Sequence, residues 1–213
     1  GFTASEIRES VGLSVDNLEV TSALISSRLD ETRLSAGDFD DAGVEIFRVN
    51  WQDTAQRLLM RKGSIGEVRR GSSSFVAEVR GLSHYLQQPK GRLIQFTCDA
   101  DLGDARCSID LASPLFSADG TVASVASQRA FAVAATGAWE PGWFARGIAA
   151  FTSGSNVERR AEIKRHTQSG SHVVIELWQP MLDPITVGDG IRLTVGCDKQ
   201  PDTCATRFAN LVN

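Results

Sequence analysis

Four cysteines are the residues of this 213-residue chain whose type and spacing point most directly to chemistry. They form two local pairs, Cys98 with Cys107 and Cys197 with Cys204, with eight residues inside the first pair and six inside the second. Both pairs lie in loop-like segments bearing Asp and Gly, whereas a free cysteine used as a small hydrophobe sits inside an apolar periodic element. Three uses fit such thiols. Two disulfides suit the even count, although a chain of this size needs no staple to fold. Tetrahedral zinc needs four thiolates, but structural zinc loops usually space them two to four apart. An iron–sulfur cluster is larger and accepts thiolates from separated segments. Spacing alone leaves all three open. If the two loops meet, they join residue 98 to residue 204, and a crosslink over about 100 residues is worth on the order of 4–5 kcal/mol in the chain-entropy model. That is comparable with the net stability of a domain, so a shared centre would have a structural role.

The other constellations are weaker. Asp99, Asp101, Asp104 and Asp110 resemble a calcium loop at first sight, but Gly103 and Asp104 stand where that loop needs an oxygen ligand and then a glycine. None of His84, His166 and His172 has a nucleophile motif beside it, and Gly63-Ser64-Ile65-Gly66 is not a nucleophile elbow. No catalytic residue is assigned. Trp139-Glu140-Pro141-Gly142-Trp143-Phe144 clusters aromatics around a turn. A hydrophobic clamp under a loop is the expectation there, with sugar stacking as the competing use. The run from Glu158 to Arg165 alternates base with acid and reads as a solvated strand face.

The elements that must position the cysteines are strands. Phe75, Ala77 and Val79 share one face of Ser74–Arg80; Val173, Ile175 and Leu177 share one face of 172–178; and 191–195 alternates equally well. Val44–Val49 and Ala123–Ala134 are apolar on both sides, which predicts strands that are deeply buried or packed in an interface. Ser169-Gly170-Ser171 predicts a hairpin turn and Gly188-Asp189-Gly190 a turn before the next strand. Short helical segments are expected at 30–36, at 82–87 and after Pro201. The fold class is mainly β, with two β-rich domains and a boundary near Gln87-Gln88-Pro89-Lys90-Gly91 that gives domains 1–90 and 91–213.

Composition narrows the function classes. The chain is 42% apolar and 23% charged, ordinary for a folded protein. Its net charge of −4, from 22 basic and 26 acidic residues, gives no general drive toward nucleic acid. No apolar run approaches the roughly 18 residues of a spanning helix. The opening Gly1-Phe2-Thr3 has neither a signal-peptide pattern nor an initiator methionine, which points to a processed or trimmed chain.

Taken together, Thr97-Cys98-Asp99-Ala100-Asp101-Leu102-Gly103-Asp104 with Cys107, Gly188-Asp189, Gly196-Cys197-Asp198-Lys199, Thr203-Cys204 and Phe208-Ala209-Asn210 resemble the phage BR0599 family (DUF2163) of phage and gene-transfer-agent proteins. That family is similar to the minor tail protein L of lambda-like phages. The resemblance spans nearly the whole chain, and Gly-Cys-Asp-Lys followed by Thr-Cys and Phe-Ala-Asn is highly specific; Phe2-Thr3-Ala4 and Val49-Asn50-Trp51 are less distinctive. It implies a structural, non-enzymatic baseplate or tail-tip hub, in a ring of three copies between the distal tail protein and a central fibre or spike. The location implied is the tail tip of a virion or gene-transfer-agent particle, assembled in the bacterial cytoplasm. It also implies an N-terminal hub domain and a C-terminal domain whose Cys98, Cys107, Cys197 and Cys204 hold an iron–sulfur cluster, of the 4Fe-4S type ahead of zinc. Family members extend before the equivalent of Phe2 and past that of Asn210, so the chain is expected to be a fragment. The alternative from another class is a host-envelope carbohydrate-binding module using Trp139 and Trp143, with two disulfides at the cysteines.

Overall fold

The computed structural model describes residues 2–4, 17–23, 37–70, 74–93 and 95–211. The turn expected at 30–36 lies outside them. The chain divides into two compact units, Gly1–Gly91 and Arg92–Asn213.

Among the described residues, the first unit is an antiparallel sheet followed by one short helix. Its strands are β1 (Phe2–Ala4), β2 (Asn17–Ala23), β3 (Gly43–Asn50), β4 (Asp53–Arg70) and β5 (Ser74–Arg80), ordered β1-β2-β5-β4-β3. The alternation read in β5 is observed: Phe75, Ala77 and Val79 are buried, while Glu78 on the opposite face pairs with Arg80 at 3.1 Å. Asn50 and Asp53 turn the β3–β4 hairpin, their carbonyl and carboxylate oxygens accepting the N–H of Gln52 and Ala55. Helix α1 (Leu82–Gln87) follows β5 directly. Deep burial of 44–49 is not what the structure holds. β3 is an edge strand, and Phe47 and Val49 remain exposed, as do Trp51, Leu58 and Leu59 nearby.

The second unit is built on a closed antiparallel barrel. Its strands are β6 (Ser117–Ser127), β7 (Ala130–Ala135), β8 (Ile148–Phe151), β9 (Arg160–Ser169), β10 (His172–Leu177) and β11 (Gly190–Thr194), in the order β10-β7-β6-β11-β8-β9, with β9 returning to β10. Closure removes every open edge. The alternating positions of β10 and β11 supply the interior, where Val173, Ile175, Leu177, Ile191 and Leu193 pack with Phe131, Phe144 and Phe151. The apolar run 123–134 spans the β6–β7 hairpin and is buried only in part: Phe131 and Val133 face the core, while Val125 is exposed. Ser127 Oγ accepts the N–H of Arg129 and Ala130 and reverses the chain where the polar Ser127-Gln128-Arg129 interrupts the run. The charged face of β9 is solvated as expected, and Lys164 and Arg165 both reach Glu176 on β10, at 2.7 and 2.6 Å. At the turn before β11, the Asp189 carboxylate accepts the Thr186 N–H at 2.9 Å and the Thr186 hydroxyl at 2.6 Å. Helix α2 (Pro201–Phe208) ends the described fold, with Pro201 in its first turn and Phe208 buried against Phe116.

Candidate metal centre

The first cysteine loop precedes the barrel and the second follows β11 directly. The loop 97–107 is shaped by its own aspartates. The Asp104 carboxylate accepts the N–H groups of Asp101 (3.0 Å), Arg106 (2.9 Å) and Cys107 (2.7 Å), so one side chain folds the backbone around Gly103 and fixes where Cys107 begins. These bonds, led by the one from Cys107, hold the Asp104 carboxyl below its ordinary range. Asp99 takes a bidentate grip from Arg92, both contacts at 2.8 Å, and a further contact from Arg106 at 2.9 Å. Arg92 first and Arg106 second hold its carboxyl far below the usual carboxylate range. Asp99 is therefore committed to arginine pairing and Asp104 to loop geometry.

The second loop is positioned by the barrel. Gly196 and Gly147 sit where two backbones nearly touch: a Cβ on Gly196 would lie 1.8 Å from the Ala145 carbonyl oxygen, and one on Gly147 would lie 2.0 Å from that of Thr194. Only glycine permits this approach. Beyond Cys197, Asp198 accepts the Gln200 N–H at 3.0 Å and the Thr203 hydroxyl at 2.9 Å, starting helix α2 so that Cys204 lies in its body.

The two loops meet. The Cys98 N–H donates to the Lys199 carbonyl at 2.9 Å, and the Lys199 ammonium donates to the Ala100 carbonyl. All four cysteines are free thiols, and all four line one cavity of about 330 Å³ together with Arg92, Lys199 and Asn210. The pairwise disulfides of the alternative are not the arrangement found. Cys98 is exposed and the other three are half-buried. Burial raises the Cys204 thiol above its ordinary value, with smaller contributions from Cys197, Cys107 and Cys98, as expected where thiolates would repel one another. Among the described residues no group of three or more His, Cys, Asp or Glu side chains is arranged to hold a metal ion. The thiols share a cavity without closing on one point.

The remaining candidates take structural places. Trp139 and Trp143 are half-buried against the barrel core, with their rings in contact with each other and Trp139 on Phe144 at 4.9 Å. The Trp139 indole N–H donates to the Thr136 carbonyl. Arg207 of α2 lies over the Trp143 ring at 4.9 Å, so the pair works as a clamp between barrel and helix rather than as an open sugar platform. His166 is buried and accepts the Phe144 N–H through Nδ1 at 3.3 Å, and burial lowers its pKa. Sequence reasoning missed Arg92, Asp104 and Arg106 as loop organisers. The close spacing of opposite charges around Cys98 and Cys107 was the available signal.

Comparison with known proteins agrees with this architecture. The family model described as "Baseplate hub protein, N-terminal attachment domain" matches residues 1–110, and the one described as "Phage conserved hypothetical protein BR0599" matches residues 142–213. A comparison with curated proteins finds no match. Among solved structures, a chain of the "Virion of native gene transfer agent (GTA) particle" is 34% identical with a TM-score of 0.84; the match covers 98% of this chain and 73% of that one.

Proposed function

Because this chain belongs to the phage baseplate hub family, we propose that it is a structural hub component of a phage-like or gene-transfer-agent tail whose Cys98, Cys107, Cys197 and Cys204 together hold one iron–sulfur cluster. The observation that carries the cluster is the convergence of four free thiols, and of no other cysteine, on one cavity. Four thiolates are the donor set such a cluster takes. Bound there, the iron core of a cluster would offset the mutual repulsion of the sulfurs. When bound, the cluster would supply a crosslink between the loop entering the barrel and the loop leaving it. Its role is structural.

In the particle the hub self-associates as a ring of three, with the distal tail protein on one side and the central fibre or spike on the other. The exposed apolar residues of the β3–β4 hairpin, Phe47, Val49, Trp51, Leu58 and Leu59, are the kind of surface such contacts cover. Among the described residues no helix is long and apolar enough to cross a membrane.

The test is complementation. A producing strain deleted for the gene and supplied with the full-length gene carrying Cys197→Ser and Cys204→Ser should yield few complete tails by electron microscopy, while the wild-type gene restores them. Normal tail numbers from the double variant would remove the structural role of the cysteine centre. Normal tails without any gene copy would remove the hub assignment itself.

A further inference from the structure

The cysteine loops are joined by two side chains that are not cysteines and lie about a hundred positions along the chain from their acceptors. Lys199 reaches back to Ala100, and its backbone accepts from Cys98. Asn210 reaches back to Cys107, where its Nδ2 contacts both the carbonyl oxygen and, at 3.8 Å, the Sγ. An amide nitrogen carries two hydrogens, so each acceptor can take one. The opposite orientation would set the Asn210 Oδ1 against the Cys107 carbonyl oxygen, two acceptors face to face. A second donor points at sulfur nearby: the Lys199 N–H lies 3.4 Å from Cys197 Sγ.

Backbone geometry directs Asn210 to this place. Helix α2 closes with Ala209 in the left-handed region (φ 50°), and the Asn210 N–H then returns to the Cys204 carbonyl at 3.2 Å. That backbone conformation is disfavoured for a non-glycine residue, so the surrounding fold must hold it. The cap turns the chain back over the helix that carries Cys204 and delivers the next side chain to Cys107. Lys199 likewise has φ 64°, so both clasping residues sit at or directly after a left-handed residue.

We infer that Asn210 is a positioning residue of the cysteine centre, clasping Cys107 to α2 and donating to its sulfur so as to raise the reduction potential and the retention of the cluster; this rests on the cluster assignment above. Hydrogen bonds to ligand sulfurs are among the protein's levers on cluster potential, because they stabilise the more negative, reduced state. Removing the donor therefore lowers the midpoint. Partners one step outside a metal's ligands typically change its affinity about 10–100-fold, so iron loss to a chelator should quicken on that scale.

The experiment compares full-length wild type with Asn210→Leu, which keeps bulk and loses the donor, and Asn210→Asp, which is isosteric and places an anion beside the sulfur. Anaerobically prepared proteins are titrated for midpoint potential by electron paramagnetic resonance, timed for iron release to a ferrous chelator, and melted with tryptophan emission as the report on the barrel. The inference predicts a lowered midpoint in both variants, more so in Asn210→Asp, with iron release at least about 10-fold faster and an unchanged barrel melt. Failure of both variants to load under an unchanged barrel melt would also support the clasp. Wild-type midpoint and release rate in both variants would overturn it while leaving the cluster assignment standing. A wild-type protein with no cluster would overturn both.

Discussion

Gly196→Ala is the single-residue change that should most sharply separate the barrel from the cysteine centre. Gly196 is buried, immediately precedes Cys197, and lies against the segment 145–147. A Cβ there would stand 1.8 Å from the Ala145 oxygen and 2.5 Å from both the Arg146 carbonyl carbon and the Gly147 nitrogen. Because contacts under 3.0 Å are essentially never seen, the two segments must part by at least about 1.2 Å, the difference between 3.0 and 1.8 Å. All three obstacles are main-chain atoms, so no side chain can swing aside. Overpacking of this kind costs about 1–3 kcal/mol, which for a unit of this size lowers the melting temperature on the order of 5–10 °C. Metal sites keep ligand distances to within about 0.2 Å, so moving Cys197 by about 1 Å should empty the site of iron even where the barrel still folds. The assay is iron per chain beside a thermal melt, with Gly43→Ala as the control, since no heavy atom lies within 4 Å of a Cβ placed there. Wild-type iron content and melting temperature in Gly196→Ala would refute the claim that this crossing positions Cys197.

Further outcomes follow from the barrel and its surface. Phe144→Ala removes a fully buried ring packed on Trp139 and His166 and should cost about 3–5 kcal/mol in denaturant unfolding, with the second unit's tryptophan signal shifting first. Burial depresses the His166 pKa, so the folded state resists the proton that the unfolded chain accepts below about 6.5. Stability from this group is full above that pH and falls as pH drops from 7 toward the lowered folded value; His166→Phe should flatten that part of a urea-midpoint profile between pH 7 and 5. Asp119 and Arg192 make a bidentate pair across β6 and β11, both contacts at 2.7 Å, yet both side chains are exposed. Asp119→Asn should accordingly cost no more than about 1 kcal/mol, and less at high salt.

Much of the fold was legible because burial imprints a period of two on each strand. β5, β10 and β11 could be read from Phe75, Val173 and Ile191 and their alternate neighbours, and the β9–β10 hairpin from Gly170. The same period says nothing about which strand lies beside which, so barrel closure through β9 and β10, and the pairing of β11 with β6 across about 70 positions, were not readable. β8 was too short to show a period. The double-sided apolar run at 44–49 fits an edge strand exposed in the single chain, a state that sequence cannot tell from deep burial. Within the site, residue type singled out the four cysteines, and family resemblance brought Lys199 and Asn210 into view as part of a motif. Their contacts with Ala100 and Cys107 depend on a left-handed turn and on tertiary proximity, neither of which has a local sequence signature.

The central claim is that the four cysteines hold one iron–sulfur cluster, and iron with acid-labile sulfide, measured beside a visible spectrum on protein purified without oxygen, tests it most directly. The account predicts iron and sulfide in equal amounts, about four of each per chain as in a 4Fe-4S centre, and the loss of both in Cys197→Ser/Cys204→Ser. Zinc alone, or no metal with the thiols oxidised to disulfides, would contradict it.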